Sequence, residues 1–321
     1  IQTQGETDMN MLNLPKKVYF KKGCMGVALK ELDEVYGLKR AFIVSDANLY
    51  RSGVVAPVID FLRKRGVKSA EFFTLSEVPS FADVKSGLPK MHEFEPDVIL
   101  AVGGGSVISA AKAMWLLYEN DDLDLAETAK NFGALTGTDT GFPVTDNKAM
   151  LVTLATTFGT GAQNSPFAVL ADEDGKECVI ASYKLLPVIS ITDSLFVETL
   201  PAELIKKSGL TLISQAVRAY AAPGANAYTQ GLLAEVTDIV LKNLEAGING
   251  CHAAIETLCN AGSIAGFAVG NAVETIDTAA EVFPTTHEKG QDNAACDALA
   301  KEIGLDDAEA LMAAVEKLAA L

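Results

Sequence analysis

The feature that most constrains the fold is a strand-like stretch at 97–102, apolar from its second residue onward, that leads without a break into Gly103-Gly104-Gly105-Ser106. A compact run of this kind is typical of a buried parallel strand, and helix-forming residues resume at 110–118. Glycine lets the backbone approach a phosphate, and the N-terminus of the following helix offers N–H donors and a positive dipole end. The pattern predicts a phosphate-binding strand–loop–helix unit. A glycine-rich turn that serves packing alone is the alternative, and because the spacing matches neither a Walker loop nor GxGxxG, it does not identify a nucleotide.

Strand and helix patterns alternate on both sides of this loop. Further strands are predicted at 41–44, 69–75, 150–155, 167–171 and 188–192, helices at 54–65 and 81–94, and a polar loop at 121–148. Such alternation predicts a doubly wound, Rossmann-like α/β sheet. After Pro201, helical periodicity dominates, at 203–221, 228–246, 253–273 and 308–321. The sequence therefore predicts an α/β domain at 12–195 and an all-α domain at 196–321.

The composition excludes several classes of partner. The chain carries 26 Lys and Arg against 42 Asp and Glu, a net charge of −16, so nothing would neutralise a run of phosphates and we expect no nucleic-acid partner. No apolar run of membrane-spanning length is free of charges or glycines, which predicts no membrane partner. The five cysteines are scattered and include no CxxC pair, which favours a reducing, cytoplasmic location over a disulfide framework.

Two further groups of polar residues follow predicted strands. Asp46 comes soon after the strand at 41–44, where α/β folds often place a ribose-binding carboxylate. An N-cap for the next helix explains an aspartate there equally well. Thr156, Thr157 and Thr160 follow the strand at 150–155 and bring hydroxyls and amides to the same sheet edge. By themselves, these threonines indicate only a turn.

Taken together, the motifs resemble the iron-dependent (group III) alcohol dehydrogenases, and most closely the alcohol dehydrogenase half of the bifunctional aldehyde-alcohol dehydrogenases. The likeness runs from about residue 12 to about residue 275 and is carried by four stretches, at 14–24, 103–112, 156–169 and 185–187. It implies a dehydroquinate synthase-like fold, with a dinucleotide-binding domain at 12–195 and a helical domain at 196–321. Between them, the resemblance implies a cleft where iron or zinc polarises an alcohol or aldehyde oxygen for hydride transfer with NAD.

The resemblance carries the cofactor motifs over residue by residue. The family's glycine turn, threonines and adenosine-side carboxylate correspond to eight positions here: Asp46, Gly103, Gly104, Gly105, Ser106, Thr156, Thr157 and Thr160. A carboxylate at the adenosine side would hydrogen-bond ribose hydroxyls and repel a 2′-phosphate, so the resemblance implies NAD rather than NADP.

The family's metal ligands do not carry over. Its Asp and His, four apart on one helix, are replaced by Thr211 and Gln215, its next His falls at about Thr278, and its last His has no counterpart that can be aligned. Neutral Thr and Gln are poor ligands for a divalent metal. Ser109 and Gln163 also stand where the family has an Asp and a Glu. Lost charges on a retained scaffold predict a pseudoenzyme candidate that binds NAD(H) and pairs as a homodimer or with a relative.

Alternatives to a degenerate enzyme stay open. An active alcohol dehydrogenase would reversibly reduce a short aldehyde with NAD(H), using a replacement metal site or a shifted substrate. Candidate ligands for such a site are Glu274, Asp277, Glu281 and His287. A solvated acidic helix face explains the same carboxylates. Tyr220 and His252 are candidate general acids that no sequence pattern positions. We also expect the helical domain to be shortened at its C-terminus relative to the family.

Overall fold

A six-stranded sheet forms the centre of the first two thirds of the chain in the computed structural model, which describes residues 11–135, 139–276 and 294–321. Its strands are β1 (Lys17–Phe20), β2 (Arg40–Asp46), β3 (Lys68–Leu75), β4 (Val98–Gly103), β5 (Met150–Ala155) and β8 (Ile189–Thr192). They lie in the order β1-β8-β5-β4-β2-β3, and every ladder between them is parallel. The predicted parallel sheet is therefore confirmed.

Helices cover both faces of this sheet, as a doubly wound fold requires. Successive residues of β2 alternate between the faces: Ala41 and Ile43 belong to one buried cluster, and Phe42 and Val44 to another. Helices α1 (Met25–Glu34) and α3 (Ala56–Lys64) pack on the first face, with the short α2 (Ala47–Arg51) between β2 and α3, and α4 (Phe81–Phe94) and α5 (Gly105–Glu119) pack on the second. Both faces are thus buried, which explains the continuous apolar runs of the central strands.

Two segments of the α/β region differ from the prediction. The strand predicted at 167–171 exists as β6 (Phe167–Ala171), but it pairs with β7 (Glu177–Ala181) in a separate antiparallel hairpin and not in the main sheet. The loop predicted at 121–148 is wrong over seven residues, which form α6 (Leu125–Asn131). Asp124 is the N-cap of this helix, because its Oδ1 accepts hydrogen bonds from the backbone amides of Ala126 and Glu127.

The last third of the described chain is helical. It comprises α7 (Ala202–Tyr220), α8 (Ala227–Ile248), α9 (His252–Gly270), α10 (Ala294–Glu302) and α11 (Ala308–Ala319). These helices share one apolar cluster that includes Leu212, Val236, Leu258 and Leu311. The predicted class, an α/β sheet followed by helices, is confirmed, and the domain boundary near 195 stays a prediction.

Helix α9 is long and apolar enough to cross a membrane by length and composition, alone among the helices of the described ranges. However, 67% of its apolar window is buried inside the fold, and it packs against α7 and α8. The core helix of a globular protein has the same length and composition, so α9 gives only weak support for a membrane span.

Candidate functional site

The candidate site lies at the carboxyl ends of β2, β4 and β5, which are neighbours in the sheet. The chain leaves β2 toward helices on one face and leaves β4 toward α5 on the other, so a crevice opens between the two strand ends. Pairing of β4 with β5 sets Gly103 beside Ala155, and the Thr156 amide donates to the Gly103 carbonyl at 3.0 Å. The fold therefore brings Asp46, the glycine loop and the threonines to one edge.

Asp46 serves as an N-cap, one of the two roles that its position suggested, and it also lies beside a cavity. Its Oδ1 caps α2 by accepting hydrogen bonds from the amides of Asn48, at 2.8 Å, and Leu49, at 2.9 Å. The same residue lines the larger of the two cavities that border the glycine loop. Capping fixes the carboxylate at the end of β2, where it also faces the space that a ligand would fill.

The glycine loop makes close contact with the threonine segment. Gly104 is the N-cap of α5, and a Cβ at this position would lie 3.2 Å from Oγ1 of Thr157. A Cβ on Gly105 would lie only 2.7 Å from Oγ1 of Thr160. The first N–H groups of a helix have no partner within it, so the start of α5 offers donors to the crevice. Only glycine lets the threonines approach these donors so closely.

Two cavities open from the loop and share Gly105, Ser106 and Thr160 in their walls. The larger has a volume of about 540 Å³ and the smaller about 260 Å³. Seven of the eight predicted cofactor residues line the larger cavity: Asp46, Gly104, Gly105, Ser106, Thr156, Thr157 and Thr160. Gly103 lies behind the loop, where a Cβ would meet Val107 at 2.5 Å.

The smaller cavity lies between α5 and the segment 160–167 that precedes and begins β6. Ser106 and Ser109 line it from α5, and Thr160, Ser165 and Phe167 line it from the facing segment. Its remaining walls are largely apolar and include Val78, Val169, Leu170 and Ile276. The cavity therefore offers several hydroxyls in apolar surroundings, which suits a flat ring with a polar substituent.

Lys112 lies behind the wall of the smaller cavity and is fully buried. Its Nζ donates to the carbonyls of Ala162, at 3.0 Å, Ser165, and Phe167, at 2.9 Å. All three donors of the ammonium group are thereby satisfied by backbone oxygens. Burial lowers the pKa of Lys112 to about 7. The lysine connects the helix on one side of the cavity with the segment on the other.

Helix α9 holds the segment 158–166 from the opposite side. A Cβ on Gly262 would lie 2.2 Å from the Phe158 carbonyl oxygen, and one on Gly266 would lie 2.1 Å from the Gly161 carbonyl oxygen. Asn164 also donates its side-chain amide to the carbonyl and hydroxyl oxygens of Ser263, at 2.8 and 2.7 Å. The backbone of the segment thus rests directly on the backbone of α9.

One face of α7 completes both cavities. Thr211 lines the larger cavity and Gln215, one turn later, lines the smaller. The Thr211 hydroxyl donates to the carbonyl of Lys207 at 2.9 Å, and the Lys207 side chain also lines the larger cavity. The two positions that the resemblance assigns to metal ligands therefore do face the crevice, but they carry a hydroxyl and an amide.

A profile of the family described as iron-containing alcohol dehydrogenase matches residues 15–194, more than half of the chain. The chain belongs to the iron-containing alcohol dehydrogenase family. Aldehyde-alcohol dehydrogenase 2 of Entamoeba histolytica is 37% identical over 273 residues, which is 84% of this chain and 31% of that protein. The chain spans about a third of the length of the aldehyde-alcohol dehydrogenases that it matches. The resemblance read from the motifs is confirmed.

Solved structures of the family share the fold. An iron-containing alcohol dehydrogenase from Thermococcus thioreducens superposes with a TM-score of 0.83 at 24% identity, over 96% of this chain and 85% of that one. A sulfoacetaldehyde reductase from Bifidobacterium kashiwanohense, solved in complex with NAD⁺, gives 0.81 at 22% identity, over 97% and 85%. At these identities the likeness establishes the architecture, which confirms the predicted fold class.

Only one of the four candidate ligands of a replacement metal site, Glu274, lies within the described residues, so that site stays a prediction. Helix α9 ends at Gly270, and Glu274 follows it in non-helical backbone. Asp277, Thr278, Glu281 and His287 lie outside the described residues. Within the described ranges, no three His, Cys, Asp or Glu side chains are grouped closely enough to hold a metal ion.

The candidate general acids lie away from the crevice. The Tyr220 hydroxyl donates to Glu302 at 2.8 Å, and burial together with this hydrogen bond raises the pKa of Tyr220 to about 12. His252 is exposed at the start of α9, with Nδ1 2.8 Å from a Glu198 carboxylate oxygen. Neither residue lines the two cavities. Both candidates are therefore wrong as groups that reach a ligand there.

Lys112 and Lys207 belong to the site but were not predicted. A lysine within a helical pattern ordinarily indicates a solvated face, and nothing local distinguishes these two. For Lys112, the signals were its place in an otherwise apolar helix, 110–118, and at the end of the stretch 103–112 that carries the resemblance. Its three acceptors lie 50 to 55 residues further along the chain, so the contact could not be read from local sequence.

Proposed function

We propose that the chain binds NAD(H) across the two cavities. The adenosine half would lie beside Asp46, the diphosphate at Gly104, Gly105 and Ser106, and the nicotinamide would enter the smaller cavity. The observation that carries this proposal is the convergence of seven of the eight motif residues on one cavity at the switch point of the sheet. The glycine cradle supports it further, because a Cβ on Gly105 would fill space at the start of α5.

The charges around the larger cavity suit a dinucleotide without a 2′-phosphate. Two positive elements, the N-terminus of α5 and the ammonium of Lys207, line the larger cavity together with the carboxylates of Asp46 and Glu77. Asp46 at the other end can accept hydrogen bonds from ribose hydroxyls and would repel a 2′-phosphate. The arrangement therefore favours NAD(H) over NADP(H).

The walls of the smaller cavity would orient the nicotinamide. Hydroxyls of Ser106, Ser109 and Thr160 can hydrogen-bond a carboxamide, and apolar side chains can cover the ring and exclude water. When bound, the nicotinamide supplies the site's capacity to give or take a hydride.

The donor set on α7 does not fit the family's metal. A metal ion acts in such reactions as a Lewis acid and contributes several kcal/mol of charge stabilisation. The α7 side chains that line the cavities are Leu204, Lys207, Ser208, Thr211 and Gln215, and none of these five is a carboxylate or an imidazole. We therefore infer a degenerate member of the family, with little or no metal-assisted reduction of short aldehydes.

Two assays on the same preparation test this proposal. Titration with NADH, followed by energy transfer from the single tryptophan, Trp115, reports binding. Oxidation of NADH with acetaldehyde or butyraldehyde, with and without added Fe²⁺ or Zn²⁺, reports turnover. We expect saturable binding and no turnover. Turnover that rises with metal would support the alternative of an active alcohol dehydrogenase with a different metal site, and absence of binding would overturn the dinucleotide assignment.

The proposal extends to location and assembly. All five cysteines are free thiols, which suits a reducing compartment such as the cytoplasm. We also propose that the chain forms a homodimer or pairs with a family relative, without nucleic acid or membrane. Light scattering on the purified protein, alone and mixed with an active relative, distinguishes a monomer from either pair.

A further inference from the structure

Lys112 joins the two walls of the smaller cavity. The lysine belongs to α5, one turn beyond Ser109, which lines the cavity from that helix. Its three acceptors are the carbonyls of Ala162, Ser165 and Phe167, and these same three residues line the facing wall. One ammonium group therefore sets the separation of the two walls, from a position that the cavity itself does not reach.

Apart from these hydrogen bonds, the segment meets α5 through packing: Ala162 shares a buried apolar cluster with α5, and Thr160 lies close against Gly105. Residues 162–164 form a single 3-10 turn, and the chain is irregular from there to β6. On the other side, the segment is fixed by Asn164, which hydrogen-bonds Ser263 of α9, and by Thr153, which donates to the Gln163 carbonyl at 3.2 Å. Without Lys112, the segment would keep its contact with α9 and its packing against α5, and it would lose the three hydrogen bonds that Lys112 makes to it from α5.

The larger cavity depends much less on this connection. It shares only Gly105, Ser106 and Thr160 with the smaller cavity. The rest of its wall comes from Gly104 and Val107 at the start of α5, from the ends of β2, β3 and β5, and from α2 and α7, and none of it comes from residues 162–167. A change in the separation of α5 from residues 162–167 would therefore alter the smaller cavity and leave most of the larger one in place.

We propose that Lys112 is a positioning residue that sets the width of the smaller cavity and so determines the affinity for the nicotinamide end of the dinucleotide. The adenosine diphosphate half, held in the larger cavity, does not depend on it. This inference rests on the proposed binding of NAD(H). It distinguishes Lys112 from a lysine that only stabilises the fold, whose loss would weaken both halves of the ligand alike.

The test compares Lys112→Met with Lys148→Met, using NADH and ADP as probes in calorimetric titrations. Methionine keeps most of the length of the lysine side chain and removes its three donors. Lys148 is a matched control because its Nζ also donates to a carbonyl, that of Tyr118 at 2.7 Å, but at the far end of α5. We expect Lys112→Met to weaken NADH binding by about tenfold or more and to leave ADP binding within about threefold. Lys148→Met should change neither affinity.

A second variant and a spectroscopic signal keep the test decisive if Lys112→Met folds poorly. Lys112→Arg retains the charge and the donors on a larger head group, so it should displace the segment and weaken NADH binding more than ADP binding. The emission of bound NADH should also shift less to the blue in both variants than in the wild type, because the ring is held less rigidly. Equal losses for NADH and ADP, or no loss for NADH, would overturn the role of Lys112. Wild-type protein that binds neither probe would overturn the proposed function, and this inference with it.

Discussion

A Cβ on Gly105 would lie 2.7 Å from Oγ1 of Thr160, closer than real Cβ atoms approach another atom. The start of α5 and the threonine segment therefore lie too close together to leave room for a side chain at residue 105. Both cavities include Gly105 and Thr160 in their walls. The space beside Gly105 is therefore the part of the crevice that is most sensitive to a single methyl group.

Gly105→Ala should weaken NADH binding by about tenfold or more, because the added methyl pushes Thr160 away from the helix N-terminus. Gly231→Ala is the matched control, since Gly231 lies within α8 and a Cβ there meets nothing within 4 Å. The control should bind NADH normally and be more stable by about 0.5–1 kcal/mol, because alanine suits a helix interior better than glycine. Fluorescence titration and urea unfolding measure both effects, and unchanged NADH affinity in Gly105→Ala would contradict this use of the loop.

Asp46→Asn should narrow the preference for NADH over NADPH by about tenfold, because the amide no longer repels a 2′-phosphate. Asparagine is as good an N-cap as aspartate, so α2 should persist. Asp124→Asn provides the control, as Asp124 caps α6 in the same way and lines neither cavity. The ratio of the two dissociation constants is the measurement. If Asp46→Asn leaves this ratio unchanged, Asp46 acts only as a helix cap and does not select between the two cofactors.

Gly266→Ala should destabilise the protein by about 1–3 kcal/mol, the usual effect of overpacking. A Cβ there would meet the Gly161 carbonyl oxygen at 2.1 Å, and neither backbone can move without displacing the segment that carries Thr160. Urea unfolding of Gly266→Ala beside Gly231→Ala separates this clash from a general glycine-to-alanine effect. Equal stability of the two variants would show that α9 does not constrain the segment.

The sequence was most informative where local pattern and tertiary structure coincide. Strand β4 and the loop after it were predictable because a parallel strand buried on both faces is apolar throughout. Helix α6 was missed because its seven residues lie in a polar stretch whose main signal is the Asp124 cap. Strand β7 is short and only partly buried, and its pairing with β6 depends on a turn and not on a strong apolar pattern.

The candidate site was predictable only in part, for the same reason. The eight motif residues could be named because they match the family's motifs, which lie at or just after strand ends. By contrast, Lys112 depends on carbonyls some fifty residues away, and the role of Gly266 depends on the position of Gly161 across the interface between helices and sheet. Contacts of this kind become visible only once the chain is folded.

The buried Lys112 predicts how stability changes with pH. Burial lowers its pKa to about 7, against a usual value of 10.5, so the unfolded chain binds more protons than the folded chain between these values. The contribution of Lys112 to the free energy of unfolding therefore rises as the pH increases from about 7 to 10.5. The unfolding free energy of the wild type, measured relative to that of Lys112→Met, should therefore increase from pH 7 to pH 9, by at most about 1.4 kcal/mol per pH unit. A difference that is flat or falls with pH would show that folding does not lower the pKa of Lys112.

The central claim is that the chain keeps the family's dinucleotide crevice without the family's metal. Elemental mass spectrometry tests it most directly, on protein purified without chelator, incubated with Fe²⁺ or Zn²⁺ and freed of unbound ions. We predict no stoichiometric iron or zinc, because Thr211 and Gln215 offer only neutral oxygen and nitrogen atoms at the ligand positions. About one tightly held ion per chain would contradict the account and make metal-assisted alcohol dehydrogenase chemistry the leading function.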